Sequence, residues 1–233
     1  MAAPRRGKLT VFLGYAPGVG KTVAMLEAAA GAKSAGRDVV VGIVEDHGRA
    51  HTAALAQGFE TLPRAQVPYQ GRTFEELDAE AVLTRAPELV VIDELAHTNV
   101  PGSGDREKRW EDVAAILTAG IDVFTTINIQ HLESLGDVVG SIIGRVQHER
   151  VPDPFLRTAD EVELVDISPV ALRARLSEGN IYAAAKVDAA MSNYFRLGNL
   201  TALRELALLW VADEVDHALV DYRSEHGIDS RWE

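Results

Sequence analysis

At 233 residues, with 47% hydrophobic and 25% charged positions, the chain can bury a sizeable core and has the composition of a soluble globular protein. A net charge of −12 excludes a protein that coats nucleic acid or an anionic membrane, and no apolar run approaches the length of a membrane span. Zero cysteines exclude a disulfide framework and any thiolate nucleophile or metal site, and the start, Met1 to Lys8, carries no signal peptide, so a cytoplasmic setting is expected.

In chain order, Leu9–Leu13 predicts a first strand and Lys21–Ser34 the helix after it, closed at Gly36. Between them runs Tyr15-Ala16-Pro17-Gly18-Val19-Gly20-Lys21-Thr22. A strand, a glycine-rich turn and a helix opening on Lys-Thr form the phosphate-cradling arrangement of P-loop proteins. Glycines let successive backbone N–H groups turn toward one anion, and the helix start adds its partial positive charge. Lys21 is placed to reach the β- and γ-phosphates of ATP, and the Thr22 hydroxyl to ligate Mg²⁺. The candidate nucleotide contacts are therefore Gly14, Pro17, Gly18, Val19, Gly20, Lys21 and Thr22. The strict spacing wants glycine where Tyr15 stands; Gly14, one step earlier, is expected to take the strained role.

Val39–Val44 is a β-branched run, the mark of a strand buried on both faces. The turn after it, Glu45-Asp46-His47-Gly48-Arg49, reads either as a site facing the γ-phosphate or a partner, or as an ordinary polar turn. Helices are predicted over Arg49–Gln57 and Phe74–Arg85, the second with a capping box from Thr73 and Glu76. Leu89–Ile92 is a strand tipped by Asp93 and Glu94, the form of a Walker B segment. Asp93 can hold Mg²⁺, and Glu94 can orient or deprotonate an attacking water, which makes it the candidate catalytic residue. In the polar loop that follows, Arg106, Lys108 or Arg109 supplies transition-state charge or simply faces solvent; Trp110 reads as a packing anchor.

A helix over Glu111–Ala119 and a strand over Ile121–Ile129 come next. Thr126, Asn128 and Gln130 fall in phase on that strand, placing Asn128 either as a γ-phosphate sensor or as a loop-capping amide. His47, His97 and His131 lack metal-ligand spacing within any one element. Val162–Ile167 is a last strand. Ser168-Pro169 then starts a helical region, Val170–Ser177, Ala183–Phe195 and Leu200–Val220, punctuated by Gly179-Asn180 and Gly198-Asn199. Alternating strands and helices predict an α/β fold, a P-loop NTPase-like, mostly parallel sheet flanked by helices over residues 1–168. A helical appendage over 169–222 and a linker or frayed tail over 223–233 complete the expected organisation.

Several stretches together resemble one family. They are Gly14-Tyr-Ala-Pro-Gly-Val-Gly-Lys-Thr22, Val44-Glu-Asp-His-Gly-Arg49, Asp93-Glu-Leu-Ala-His-Thr-Asn-Val-Pro-Gly-Ser103, Lys108-Arg-Trp110, Gly120-Ile-Asp-Val-Phe-Thr-Thr-Ile-Asn-Ile-Gln-His-Leu-Glu-Ser134 and Gly198-Asn-Leu-Thr-Ala-Leu-Arg-Glu-Leu-Ala-Leu208. All are similar to the N-terminal cytoplasmic domain of the KdpD family of bacterial sensor histidine kinases, which govern potassium uptake. The resemblance runs from about Gly7 to Val220, and that family also carries its glycine at the Gly14 position. It implies an ATP-binding sensory domain of a two-component system, with Gly18, Gly20, Lys21 and Thr22 as nucleotide contacts and Asp93 near the metal. Its implied partners are the nucleotide and the other domains of a sensor kinase or a partner protein; an oligomer is compatible with the sequence. The family's stress-protein-like domain, membrane helices and kinase core are absent from the sequence, so an excised piece or a short form is expected. The wording of Gly102–Arg109 and the pair Leu209-Trp210 depart from the family pattern. The alternative reading is a stand-alone P-loop ATPase, or a protein kinase acting by phosphoryl transfer to a partner.

Overall fold

The computed structural model describes residues 5–177 and 194–226. Six strands form one parallel sheet in the order β3-β2-β6-β7-β1-β8. In chain order these are β1 (Leu9–Gly14), β2 (Val39–Ile43), β3 (Glu60–Thr61), β6 (Leu89–Ile92), β7 (Asp122–Asn128) and β8 (Glu161–Leu164), with a separate antiparallel hairpin of β4 (Ala65–Tyr69) and β5 (Arg72–Glu76). The helices are α1 (Lys21–Ser34), α2 (Ala50–Ala56), α3 (Ala79–Arg85), α4 (Arg109–Thr118), α5 (Gly136–Ile143), α6 (Asp153–Leu156), α7 (Pro169–Ser177) and α8 (Leu197–His226). The fold is α/β, a parallel sheet flanked by helices.

The two-residue period of the strands divides their side chains between two cores. Leu9, Val11 and Leu13 of β1 and Val90 and Ile92 of β6 enter one core, which α3, α4, α7 and α8 cover. Phe12 of β1 and Leu89 and Val91 of β6 enter the other, under Met25, Leu26 and Ala29 of α1. Phe12 meets Phe124 of β7 edge-on, with ring centroids 5.7 Å apart. The first core also takes in Leu172, Leu176, Phe195, Leu200 and Leu203, so the C-terminal helices share their buried surface with the sheet. Trp110 packs against Phe155 with ring centroids 5.2 Å apart and the rings tilted by 47°, as a packing anchor should. Among the described residues no helix is long and apolar enough to cross a membrane.

The predicted helix over Phe74–Arg85 is corrected. Its first turn is instead β5, and only Ala79–Arg85 is helical. Residues Gln70 and Gly71 adopt left-handed φ values of 48° and 77°, and Tyr69 pairs with Arg72 across them. Two such residues make a tight hairpin turn whose twist matches the strands. The helix is capped by Asp78, which accepts a 2.8 Å hydrogen bond from the Ala81 N–H, and not by Thr73. At the C-terminal side, α7 begins where Ser168-Pro169 predicts it, with the Ser168 hydroxyl accepting from the Ala171 N–H. The predicted helix Ala183–Phe195 lies outside the described residues except for Tyr194 and Phe195, as does the Gly179-Asn180 break. Residues 223–226 of the expected tail belong to α8, and 227–233 lie outside the described residues.

Candidate functional site

All six strands run the same way, so the segments following β1, β2, β6 and β7 emerge along one edge of the sheet. In open α/β sheets this edge is where ligands bind. Here those segments surround a cavity of about 520 Å³.

The glycine turn after β1 forms its first wall. Gly18 and Gly20 have φ of 87° and 115°, conformations that favour glycine, and Gly20 leads directly into α1. Gly14 serves differently from the expectation. It has no left-handed φ; a Cβ there would lie 2.6 Å from Val19 Cγ2 and 2.8 Å from Lys21 Cδ. Glycine is needed at this position because the Lys21 stem passes over it. Tyr15 is fully buried, and its hydroxyl donates to the Ile167 carbonyl at 3.0 Å, tying the turn to the segment before α7. From α7 itself, the Arg175 guanidinium reaches the Val19 carbonyl at 3.3 Å and the Gly18 carbonyl at 3.5 Å.

Lys21 lines the cavity and donates to Asn128 Oδ1, at the end of β7, at 2.7 Å. Burial pulls its pKa down to about 8, against the raising influence of Asp93 and Glu94. Among the described residues it has no ion pair within salt-bridge distance, so a buried cation is held by one neutral amide. Next to it the Thr22 hydroxyl donates to Asp93 Oδ2 at 3.1 Å. Asp93 is 2% exposed and receives the Thr126 hydroxyl at 2.5 Å, the Glu94 N–H at 3.1 Å and the Glu45 N–H at 3.3 Å. Burial raises the Asp93 pKa, and the Thr126 hydrogen bond opposes that rise.

Glu94 stands in a left-handed conformation, φ 57°, which non-glycine residues adopt at a cost of order 1–3 kcal/mol. His47, after β2, does the same at φ 50°. The two side chains meet at 3.0 Å, His47 Nε2 to Glu94 Oε1. That hydrogen bond raises the His47 pKa and holds the Glu94 carboxyl below the usual carboxylate range.

Of the residues singled out by sequence, Pro17, Gly18, Lys21, Thr22, Asp93, Glu94 and Asn128 line the cavity. Gly14, Val19 and Gly20 do not; Val19 is 2% exposed and anchors the turn in the core. The cations expected from the loop before α4 point elsewhere. Arg109 is 1% exposed and bonded to Glu76 and to the Asp93 carbonyl, Arg106 pairs with Asp112, and Lys108 donates to Thr98. Sequence reasoning passed over Gln147 and Glu149, which close the cavity from an irregular segment after α5 and carry no pattern that would reveal them. The fold also brings His47, His97 and His131 to this one cavity. Each is already engaged, with Glu94, with Glu76, and with the Glu149 carbonyl and Gln130.

Residues 5–215 match the family model described as the osmosensitive K⁺ channel His kinase sensor domain. This chain belongs to the KdpD sensor-domain family. It is 59% identical over 229 residues to the sensor protein KdpD of Mycobacterium tuberculosis and 52% identical over 231 residues to that of Escherichia coli K12. It is also 54% identical over 212 residues to a putative sensor protein KdpD of Synechocystis. These alignments cover 98%, 99% and 91% of the chain. The chain spans about a quarter of the first two relatives, 26% of each, and 57% of the third.

Proposed function

We propose that this chain is the nucleotide-responsive part of a KdpD-type sensor, binding ATP with Mg²⁺ and passing its bound state to other domains of a two-component potassium or osmotic sensor on the cytoplasmic side. One observation carries the reading. The Lys21 amine, a cation with no ionic partner among the described residues, shares one cavity with the contacting oxygens of Thr22 and Asp93. A buried cation of this kind is matched by an anion, and a hydroxyl beside a carboxylate is the oxygen donor pair that suits Mg²⁺. The residues therefore fit the group.

In this reading the backbone N–H groups of the Gly18–Gly20 turn and the start of α1 hold the inner phosphates, and Lys21 spans toward the outer ones. Thr22 and Asp93 would hold the metal, which when bound neutralises phosphate charge. Asn128, at the end of the neighbouring strand β7, fixes the Lys21 amine. Glu94 favours a second reading, hydrolysis or phosphoryl transfer, because its carboxylate stands at the strand tip where an attacking water or hydroxyl would be oriented. In the present arrangement that carboxylate is bonded to His47, which favours binding as the resting activity.

Calorimetric ATP binding and a turnover assay on native protein, Lys21→Ala and Glu94→Gln test both readings. Binding that is lost in Lys21→Ala without turnover in the native chain supports the sensory module. Turnover abolished by Glu94→Gln supports the enzyme. Equal ATP binding by native protein and Lys21→Ala at moderate salt refutes the phosphate cradle.

A further inference from the structure

The turn after β2 brings a second cation to the cavity, and nothing in the reading above uses it. Arg49 lines the same cavity as Lys21, Asp93 and Glu94. Three other arginines near the sheet edge have carboxylate partners: Arg64 with Glu45, Arg106 with Asp112, Arg109 with Glu76. Among the described residues Arg49 has none, and its Nε is buried without a hydrogen-bond partner. A shielded guanidinium N–H left unbonded costs free energy unless an acceptor meets it.

Its backbone is held in place. The Asp46 side chain accepts from the Gly48 N–H at 2.7 Å, and the Asp46 carbonyl accepts from the Arg49 N–H at 2.9 Å. His47 and Gly48 complete the turn at φ 50° and 76°. Position in the sheet supplies the direction. Counting from the glycine turn at β1, the order is β7, then β6 with Asp93 and Glu94, then β2 with Arg49. Arg49 thus stands on the far side of Asp93 and Glu94 from the turn that would cradle inner phosphates. A phosphate chain anchored at that turn and crossing Lys21 ends facing it. The two cations already sense each other, since the charge of Arg49 contributes to holding Lys21 down. An anion between them relieves that repulsion, and a guanidinium can grip a phosphate with two parallel N–H···O bonds.

We infer that Arg49 is a ligand for the terminal phosphate of a nucleoside triphosphate, so that this site distinguishes triphosphate from diphosphate. The inference rests on the reading of the cavity as a nucleotide site and adds to it the group that reads the last phosphate. It also locates in the turn after β2 the cation that the sequence suggested for the loop before α4.

The test is calorimetric titration of Mg-ATP and Mg-ADP into native protein, Arg49→Ala, Arg49→Lys and Lys21→Ala. Charge-assisted hydrogen bonds of this type predict that Arg49→Ala weakens ATP binding roughly tenfold or more and leaves ADP within about twofold. Arg49→Lys falls between, and Lys21→Ala weakens both nucleotides. Equal weakening of ATP and ADP by Arg49→Ala, or no weakening of either, overturns the inference while leaving the nucleotide site intact. If native protein binds neither nucleotide, the site reading fails and this inference fails with it. Among the described residues Arg49 makes no side-chain bond that its removal would break, and thermal melting checks that the variants are folded. Should Arg49→Ala not fold, Arg49→Gln keeps the stem, removes the charge and carries the same comparison.

Discussion

Single residues at this site are set by contacts that come from distant parts of the chain. Gly14 is held to glycine by the stem of Lys21 and by Val19, and Tyr15 is accepted beside it because its hydroxyl finds the Ile167 carbonyl. His131 shows the same dependence. It donates through Nδ1 to the Glu149 carbonyl at 2.7 Å, and burial lowers its pKa from the ordinary 6.5. The folded chain therefore resists protonating His131 where the unfolded chain accepts a proton. Its contribution to stability is full above pH 6.5 and is lost as pH falls through the lower, folded-state value. An NMR titration of the His131 ring should give a midpoint below 6.5, and His131→Asn should lessen the acid-side loss of stability; a midpoint at or above 6.5 contradicts the argument.

Elements reveal how far local pattern reaches. β1 and β6 are legible because every position is buried, so the apolar run is continuous, and α1 because its glycine turn and alanine-rich face agree. The β4–β5 hairpin was not legible. Thr73 and Glu76 have the spacing of a capping box, but Glu76 is there for a different reason, one that lies 33 residues away. It is 2% exposed and faces Arg109, 1% exposed, at 3.3 Å, while His97 and the Val100 N–H take its other bonds. A long-range counter-charge leaves no periodic trace in sequence. Similarly, α5 contains Gly136 and Gly140, which weaken the local helical signal, and Gln147 and Glu149 reach the cavity from a segment with no period at all. Glu76→Gln leaves the Arg109 charge buried without its partner and should destabilise the fold by about 3–5 kcal/mol in urea unfolding. A cost below about 1 kcal/mol would show that this pair does not hold β5 against α4.

At the scale of the whole molecule, the parallel sheet explains why the candidate site was more legible than the fold around it. Strand ends carry the chemistry, and in a parallel sheet all strand ends of one kind share an edge, so motifs far apart in sequence meet. The C-terminal helices are less separable than their sequence suggests. Leu172, Leu176, Phe195, Leu200 and Leu203 cover the same face of the sheet as Val11 and Val90. A chain ending at Ser168 should therefore expose that face and aggregate or unfold, whereas residues 1–226 should elute as a compact species on gel filtration. A stable, monodisperse 1–168 chain would show that the sheet closes its own core.

Helix α7 touches the glycine turn at one side through Arg175, and through Arg173 donates to the Phe195 carbonyl, 2.6 Å away, at the foot of α8. Tyr194, at that same foot, is bonded to Gln130 on the cavity wall. α8 runs on for 30 residues, a rod of roughly 45 Å at 1.5 Å per residue. By plain geometry a tilt of about 5° at its base carries the far end about 4 Å. The chain thus joins the glycine turn beside the cavity to a long lever, with α7 as the fulcrum.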